Sequence, residues 1–222
     1  MVYTIGTITN FWSSYIKNYL RSGLVINQNG IVKNTTGLTQ ASGFTAPSVS
    51  GDSLVFTGVE RIKINNGAFT QVGVPFSCEC SVMFLTVPTS AQHIISFGGN
   101  TTSTTTTETP QITGVSFDPT IGIESYSQLS GARTDLTFRT TANVAANTWY
   151  KIGLMLYNSG GLRARGYVDN VQVFDQSFPG STARTTGLGI GGLPGAAAGI
   201  TRFGFIGQIK NIYIGQSLFW PI

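Results

Sequence analysis

Charge is scarce in this sequence. Asp, Glu, Lys and Arg supply 10% of its 222 residues, against about a quarter in an average globular domain. Thr, Ser, Gly and Asn take their place, so solubility rests on hydroxyls, amides and exposed backbone. The formal net charge is +4, yet no Lys/Arg run forms a stripe that would track phosphates, and nucleic acid is not the expected partner. Cysteine is nearly absent as well: Cys78 and Cys80 are the only two. On a strand, C-x-C spacing points both thiols to one face. Such neighbours do not bridge readily, so a disulfide framework is excluded and a buried thiol pair is expected. His93 is the only histidine. That leaves too few ligands for zinc and one imidazole, without a flanking acid, for any nucleophile triad. We read His93 as a structural or surface histidine. No apolar run is long enough to span a bilayer. No cationic segment followed by an apolar one resembles a secretory signal, so synthesis in a cytoplasm, or maturation elsewhere, is expected.

The acids are thinly spread. No two stand closer than six residues, the nearest pairs being Asp118 with Glu124 and Asp169 with Asp175. Glycan hydrolysis needs two carboxylates flanking the scissile bond, and no single strand here carries such a pair close together. The phosphate-binding pattern G-x-x-x-x-G-K-[ST] is missing. Gly189-Ile-Gly191-Gly192 has glycines without a following helix, which fits tight backbone packing rather than a nucleotide loop. The first 50 residues contain Lys17, Arg21 and Lys33 and no acid. This asymmetry fits either an acidic partner surface or chance in a lightly charged segment.

What is present is mostly strand pattern. Phe205-Ile-Gly-Gln-Ile-Lys-Asn-Ile-Tyr-Ile214 alternates apolar with polar residues and shifts phase near Asn211. One buried face gives the alternation, a β-bulge gives the phase shift, and Gly207 suggests a close backbone. Ser53–Thr57 and Val59–Asn65 read as strands followed by an Asn66-Gly67 turn. Phe76, Cys78, Cys80, Val82 and Phe84 alternate with Ser77, Glu79 and Ser81, a strand with one wet face. Ile94–Phe97 reads as a short buried strand. Further strands are expected at Ile112–Phe117, Gly122–Tyr126 and Leu136–Thr140. Tyr150, Ile152, Leu154 and Leu156 mark another. Arg163–Val168 and Val171–Asp175 form a hairpin through Asp169-Asn170, and a Gly-rich span, Gly187 to Gly199, precedes a final strand pair. Residues 24–50 read as one strand and loops. Thr101–Thr109 has no apolar anchor and is expected to be an exposed loop or edge, open to glycans or a ligand.

One helix is expected, over residues 10–21. Phe11, Trp12, Tyr15, Ile16, Tyr19 and Leu20 fall on one helical face, capped by Thr9 or Asn10 and stopped by Gly23. Its aromatic face packs either on its own sandwich or against a neighbouring subunit. Phe219 and Trp220 form a second aromatic cluster with the same need.

Three segments together resemble laminin-G-like domains of the concanavalin-A-like lectin and glucanase class. They are Gly51-Asp-Ser-Leu-Val-Phe-Thr-Gly58, leading through Ile62 and Ile64 to Phe76–Val82; Asn147-Thr-Trp149-Tyr-Lys-Ile152 with Tyr167-Val-Asp-Asn170; and the Phe205-x-Gly-x-Ile209 strand. Asn170 stands where that family usually has Gly, a position Asn tolerates. The resemblance spans roughly residues 50–216. It implies an all-β, antiparallel two-sheet jelly-roll sandwich over residues 50–222. Residues 1–49, the N-terminal helix and an extended arm, lie outside the resemblance and are read as an added anchoring segment. It also implies a packing role for Trp149, while parity leaves the exposure of Tyr126 and Tyr157 open. Domains of this class often hold calcium. Asp118 and Asp52 are the candidate ligands, but a lone loop aspartate is more often a turn former, and no metal is expected.

The functional expectation is a non-enzymatic structural protein of a virion, such as a bacteriophage capsid decoration, fibre or tail component displaying the sandwich. It is expected to dock on homo- or hetero-oligomeric partners through Phe11, Trp12, Tyr15, Ile16, Tyr19, Leu20, Phe219 and Trp220. The alternative is a free carbohydrate-binding lectin, with a glycoside hydrolase third.

Overall fold

The computed structural model describes residues 24–26, 32–34, 45, 47–64, 76–97, 113–129, 132–178, 188–193 and 204–215. Within them the chain is built from strands. The first five are β1 (Leu24–Ile26), β2 (Val32–Asn34), β3 (Ser48–Ser50), β4 (Ser53–Thr57) and β5 (Ile62–Ile64). The next five are β6 (Phe76–Phe84), β7 (Gln92–Phe97), β8 (Thr113–Asp118), β9 (Gly122–Leu129) and β10 (Ala132–Thr140). After a 3-10 turn at Thr141–Asn143 come β11 (Trp149–Asn158), β12 (Leu162–Val168), β13 (Val171–Ser177), β14 (Leu188–Ile190) and β15 (Ile206–Gly215). Among the described residues no helix is long and apolar enough to cross a membrane.

These strands form two antiparallel sheets stacked as a jelly-roll sandwich. The larger runs β13-β12-β11-β6-β15-β1-β2, with β4 on β15 and β3 on β4. The smaller runs β10-β9-β8-β7-β14-β5. Strand β15 holds the larger sheet together. One of its edges pairs with β6, and the other pairs first with β4 through Ile206–Ile209 and then with β1 through Ile212–Ile214.

The expected phase shift lies in this strand. Register against β6 slips between Lys210 and Tyr213, and Asn211 takes φ 51°. The slip inserts one residue, so Ile209 before it and Ile212 and Ile214 after it all reach the core. At Gly207 (φ 155°) an added Cβ would lie 2.3 Å from the Met83 carbonyl oxygen, the close backbone that the glycine suggested.

Phe205, Ile209, Tyr150, Ile152 and Leu154 share one buried interior. Phe84 sits at its middle, 5.2 Å from Phe117 and 5.6 Å from Phe205 between ring centroids, and Phe56 lies 5.9 Å from Phe205. Edge-to-face and tilted contacts of this kind add to simple burial. Cys78 and Cys80 are free and buried in the same core. Burial pushes the Cys78 thiol up to about 12, and Cys80 well above its ordinary value, as a small apolar residue would require.

The hairpin through Asp169-Asn170 forms with φ 51° and 69°, a mirror-image turn matched to strand twist. Other elements differ from expectation. Three strands lie in residues 24–50 where one was expected, because pairing of β1 with β15, β2 with β1 and β3 with β4 supplies the order that such short segments lack alone. The expected Val59–Asn65 strand is only Ile62–Ile64: Gly58 turns at φ 102° and Val59 is exposed while the chain crosses between sheets. Leu188-Gly-Ile190 is a fully buried strand between β7 and β5, inside what reads as a glycine-rich turn. Gly191, just after it, does form the tight turn, at φ 76°. Of the expected final strand pair, the described residues 204–215 hold one continuous, bulged strand, β15. The expected helix at 10–21, the Asn66-Gly67 turn and the Thr101–Thr109 tract lie outside the described residues.

Candidate functional site

A cleft of about 440 Å3 opens where β10, an edge of the smaller sheet, faces β13, an edge of the larger. Thr137, Phe138, Arg139, Thr140, Asn143 and Val173 line it. Its size falls in the range of small-ligand sites.

Two register slips shape this seam. Thr137 pairs with Glu124 and Arg139 with Ile123, so Phe138 is an extra residue in β10. Across the seam, Gly166 pairs with Phe174 and Tyr167 with Gln172, so Val173 is an extra residue in β13. Bulges of this kind redirect side chains. Phe138 turns inward against Phe174, with centroids 5.0 Å apart, and closes the floor. Arg139, which strict alternation would send to the outer face beside Thr137, instead lies over the inward-facing Tyr150 ring, 4.9 Å from its centroid.

The 3-10 turn forms the end wall. Arg139 Nε donates to the Asn143 carbonyl, and Tyr150 Oη donates to the same oxygen at 3.4 Å. The Ala145 amide donates to Tyr150 Oη at 2.7 Å. Asn143 Nδ2 donates to Thr140 Oγ1 at 2.9 Å, and Thr141 Oγ1 donates to the Pro119 carbonyl at 3.1 Å. These bonds hold the wall while leaving the Arg139 terminal nitrogens, the Asn143 Oδ1 and the Thr137 hydroxyl without partners among the described residues. The site therefore offers guanidinium and hydroxyl donors, an amide acceptor and a partly apolar wall from Phe138 and the half-exposed Val173.

The outer face of the larger sheet carries two further polar groups. At one end, Asp175 gathers Tyr157 Oη, donating at 2.6 Å, Arg163 Nε at 3.0 Å and Arg165 Nε at 2.8 Å. Desolvation works to raise the Asp175 carboxyl, but the bonds from Tyr157, Arg165 and Arg163 outweigh it and hold it below its ordinary value. The Arg165 guanidinium also lies 5.1 Å from the Tyr157 ring centroid. Midway along the face, Glu79 pairs with Lys151 at 3.1 Å. Burial raises the Glu79 carboxyl despite that partner. The expected wet face of β6 is thus only partly wet: Ser77 and Glu79 are buried along with the inward Cys78 and Cys80.

Trp149 differs from the packing role its resemblance implies. Tyr150, Ile152 and Leu154 point inward, so alternation turns Trp149 outward. It is half-buried, with Lys210 Nζ 4.5 Å from its ring centroid. Tyr157 is buried in the Asp175 cluster, and His93 is buried in β7. Asp118 forms a turn, accepting from the Thr120 amide at 2.8 Å, while Asp52 accepts from Lys210 Nζ at 2.9 Å. Among the described residues no three His, Cys, Asp or Glu side chains converge as a metal site would require. The docking residues Phe11, Trp12, Tyr15, Ile16, Tyr19, Leu20, Phe219 and Trp220 lie outside the described residues. None of the cleft residues stands out in the sequence; a Thr-Phe-Arg-Thr-Thr-Ala-Asn run reads as the end of an ordinary strand.

No protein-family model and no curated protein matches the sequence. Solved structures share the fold. Domain 4 of AbnA, a GH43 extracellular arabinanase from Geobacillus stearothermophilus solved with arabinotriose, has TM-score 0.55 at 16% identity, over 86% of this chain and 92% of that one. The receptor binding domain of botulinum neurotoxin D has TM-score 0.57 at 13% identity, over 87% of this chain and 48% of that one. A Trypanosoma rangeli sialidase, in complex with the inhibitor DANA, has TM-score 0.57 at 12% identity, over 87% of this chain. The chain spans 30% of that sialidase. At these identities the likeness shows the β-sandwich fold alone.

Proposed function

We propose that this protein is a carbohydrate-binding module, with the β10–β13 cleft as its site. The observation that carries the reading is a set of polar groups around one cleft that have no partner among the described residues: the Arg139 terminal nitrogens, the Thr137 hydroxyl and the Asn143 amide oxygen. Sugars present dense hydroxyls beside apolar ring faces, and a preorganised polar rim over a partly apolar floor suits them. The sandwich shared with a domain solved on arabinotriose supports the same reading. In this reading the module holds a sugar, since the described lining offers hydrogen-bond donors, an amide acceptor and an apolar surface.

The test is a glycan array with the purified protein, followed by calorimetric titration of the best ligand. Asn143→Ala and Thr137→Val each weaken binding by roughly threefold to tenfold, the worth of one hydrogen bond. A protein that retains no glycan, or whose binding ignores both substitutions, overturns the reading.

The second reading is a subunit of an assembly such as a virion that displays this sandwich outward. The scarcity of charge and the aromatic clusters at residues 11–20 and 219–220 favour it. Deleting residues 1–23 and measuring self-association by sedimentation tests it: a subunit docked through that segment dissociates, and an unchanged sedimentation profile counts against the docking role. The two readings are compatible, since a particle surface is where a glycan-binding face acts.

A further inference from the structure

We infer that the ligand of this cleft is an acidic glycan, bearing a carboxylate or sulfate group that sits against Arg139. The inference rests on the glycan-binding reading and narrows it. Four described cations each have an acidic partner: Lys151 with Glu79, Arg163 and Arg165 with Asp175, and Lys210 with Asp52. Arg139 has none among the described residues, in a chain where charge is rare. It is the only charged residue among the described residues lining the cleft.

Its position is also fixed in advance. The bond from Nε to the Asn143 carbonyl and the Tyr150 ring beneath the guanidinium set its plane. The edge bearing the terminal nitrogens is left for a ligand. A planar fork of N–H donors matches the two oxygens of a carboxylate, or two of a sulfate, in a way that a neutral hydroxyl does not. Holding the fork in place removes the rotamer entropy that a free arginine would lose on binding. The Asn143 amide oxygen and the Thr137 hydroxyl, which line the same cleft, then meet the sugar hydroxyls that surround such a group.

The test uses the intact protein on an array of neutral, uronic- or sialic-acid-bearing, and sulfated glycans, with titration of the best binder in each class and of its neutral counterpart. The expected result is a preference for the acidic member of about tenfold or more, reduced when NaCl rises from about 50 to about 300 mM. Arg139→Gln removes the preference, and Arg139→Lys, which keeps the charge but loses the fork, retains part of it. The carboxylated and sulfated arms show which oxyanion is preferred. Should Arg139→Gln fail to fold, class preference and salt dependence in the wild-type protein decide. Neutral glycans held as tightly as acidic ones, with binding still lowered by Asn143→Ala, overturn this inference and leave the cleft as a sugar site. Acidic binding that survives Arg139→Gln also overturns it. No retained glycan overturns both.

Discussion

At the scale of single residues, this fold depends on a few positions whose chemistry has no substitute. Gly207 is one. A methyl group there meets the Met83 carbonyl at a φ that L-residues avoid. Gly207→Ala is therefore expected to lower unfolding free energy by more than about 2 kcal/mol, read from urea denaturation. Asp175 is another, and its contribution depends on pH. Its carboxyl is held below its ordinary value by Tyr157, Arg165 and Arg163 against the pull of desolvation. The folded state therefore binds the proton less tightly than the unfolded chain, whose aspartate titrates near pH 3.9. The stabilisation is fully present above that value and is lost as pH falls through the folded pKa. Asp175→Asn should cost more than about 1 kcal/mol at pH 7. The gap to the wild type should close as denaturation midpoints are followed into more acidic buffer.

At the scale of elements, the hairpin joining β12 to β13 separates backbone from side-chain contributions. Asp169 and Asn170 both hold positive φ, and Asp169 Oδ1 accepts from the Lys151 amide at 2.9 Å. Asn170→Gly keeps the conformation and should change stability by less than about 0.5 kcal/mol. Asp169→Ala loses the bond and strains the turn, and should cost about 1–2 kcal/mol, measured by the same denaturation. This hairpin was legible in the sequence because its signal is local: two turn residues between alternating strands. The bulged β15 was legible for the same reason, since its phase shift is written into consecutive residues. Strand β14 was not. Three residues carry no periodicity, and Leu188-Gly-Ile190 is a strand only because β7 and β5 flank it. Trp149 was misplaced because a match to a family position was given more weight than the alternation of its own neighbours. The cleft was illegible throughout. It depends on two edge strands meeting across the sandwich, and on bulges that turn Arg139 away from the side its parity assigns.

At the scale of the whole molecule, the two sheets share one core and should unfold together. Phe205 enters that core between Phe56 and Phe84. Phe205→Ala is expected to cost about 3–5 kcal/mol, as large aromatic truncations do. Far-ultraviolet and near-ultraviolet circular dichroism should follow a single shifted transition, and divergent curves would mean that the sheets come apart separately. Strand β15 has a further consequence for how the protein is made. It lies between β6 on one side and β4 and β1 on the other, yet it is translated after all of them. Until residues 206–215 leave the ribosome, those earlier segments have no shared partner, and their open edges and apolar faces must wait in the cell unpaired. A nascent chain stalled before that point lacks the piece that joins its early strands, so the cell's chaperones and proteases meet it as an unfinished sheet rather than as a smaller stable domain.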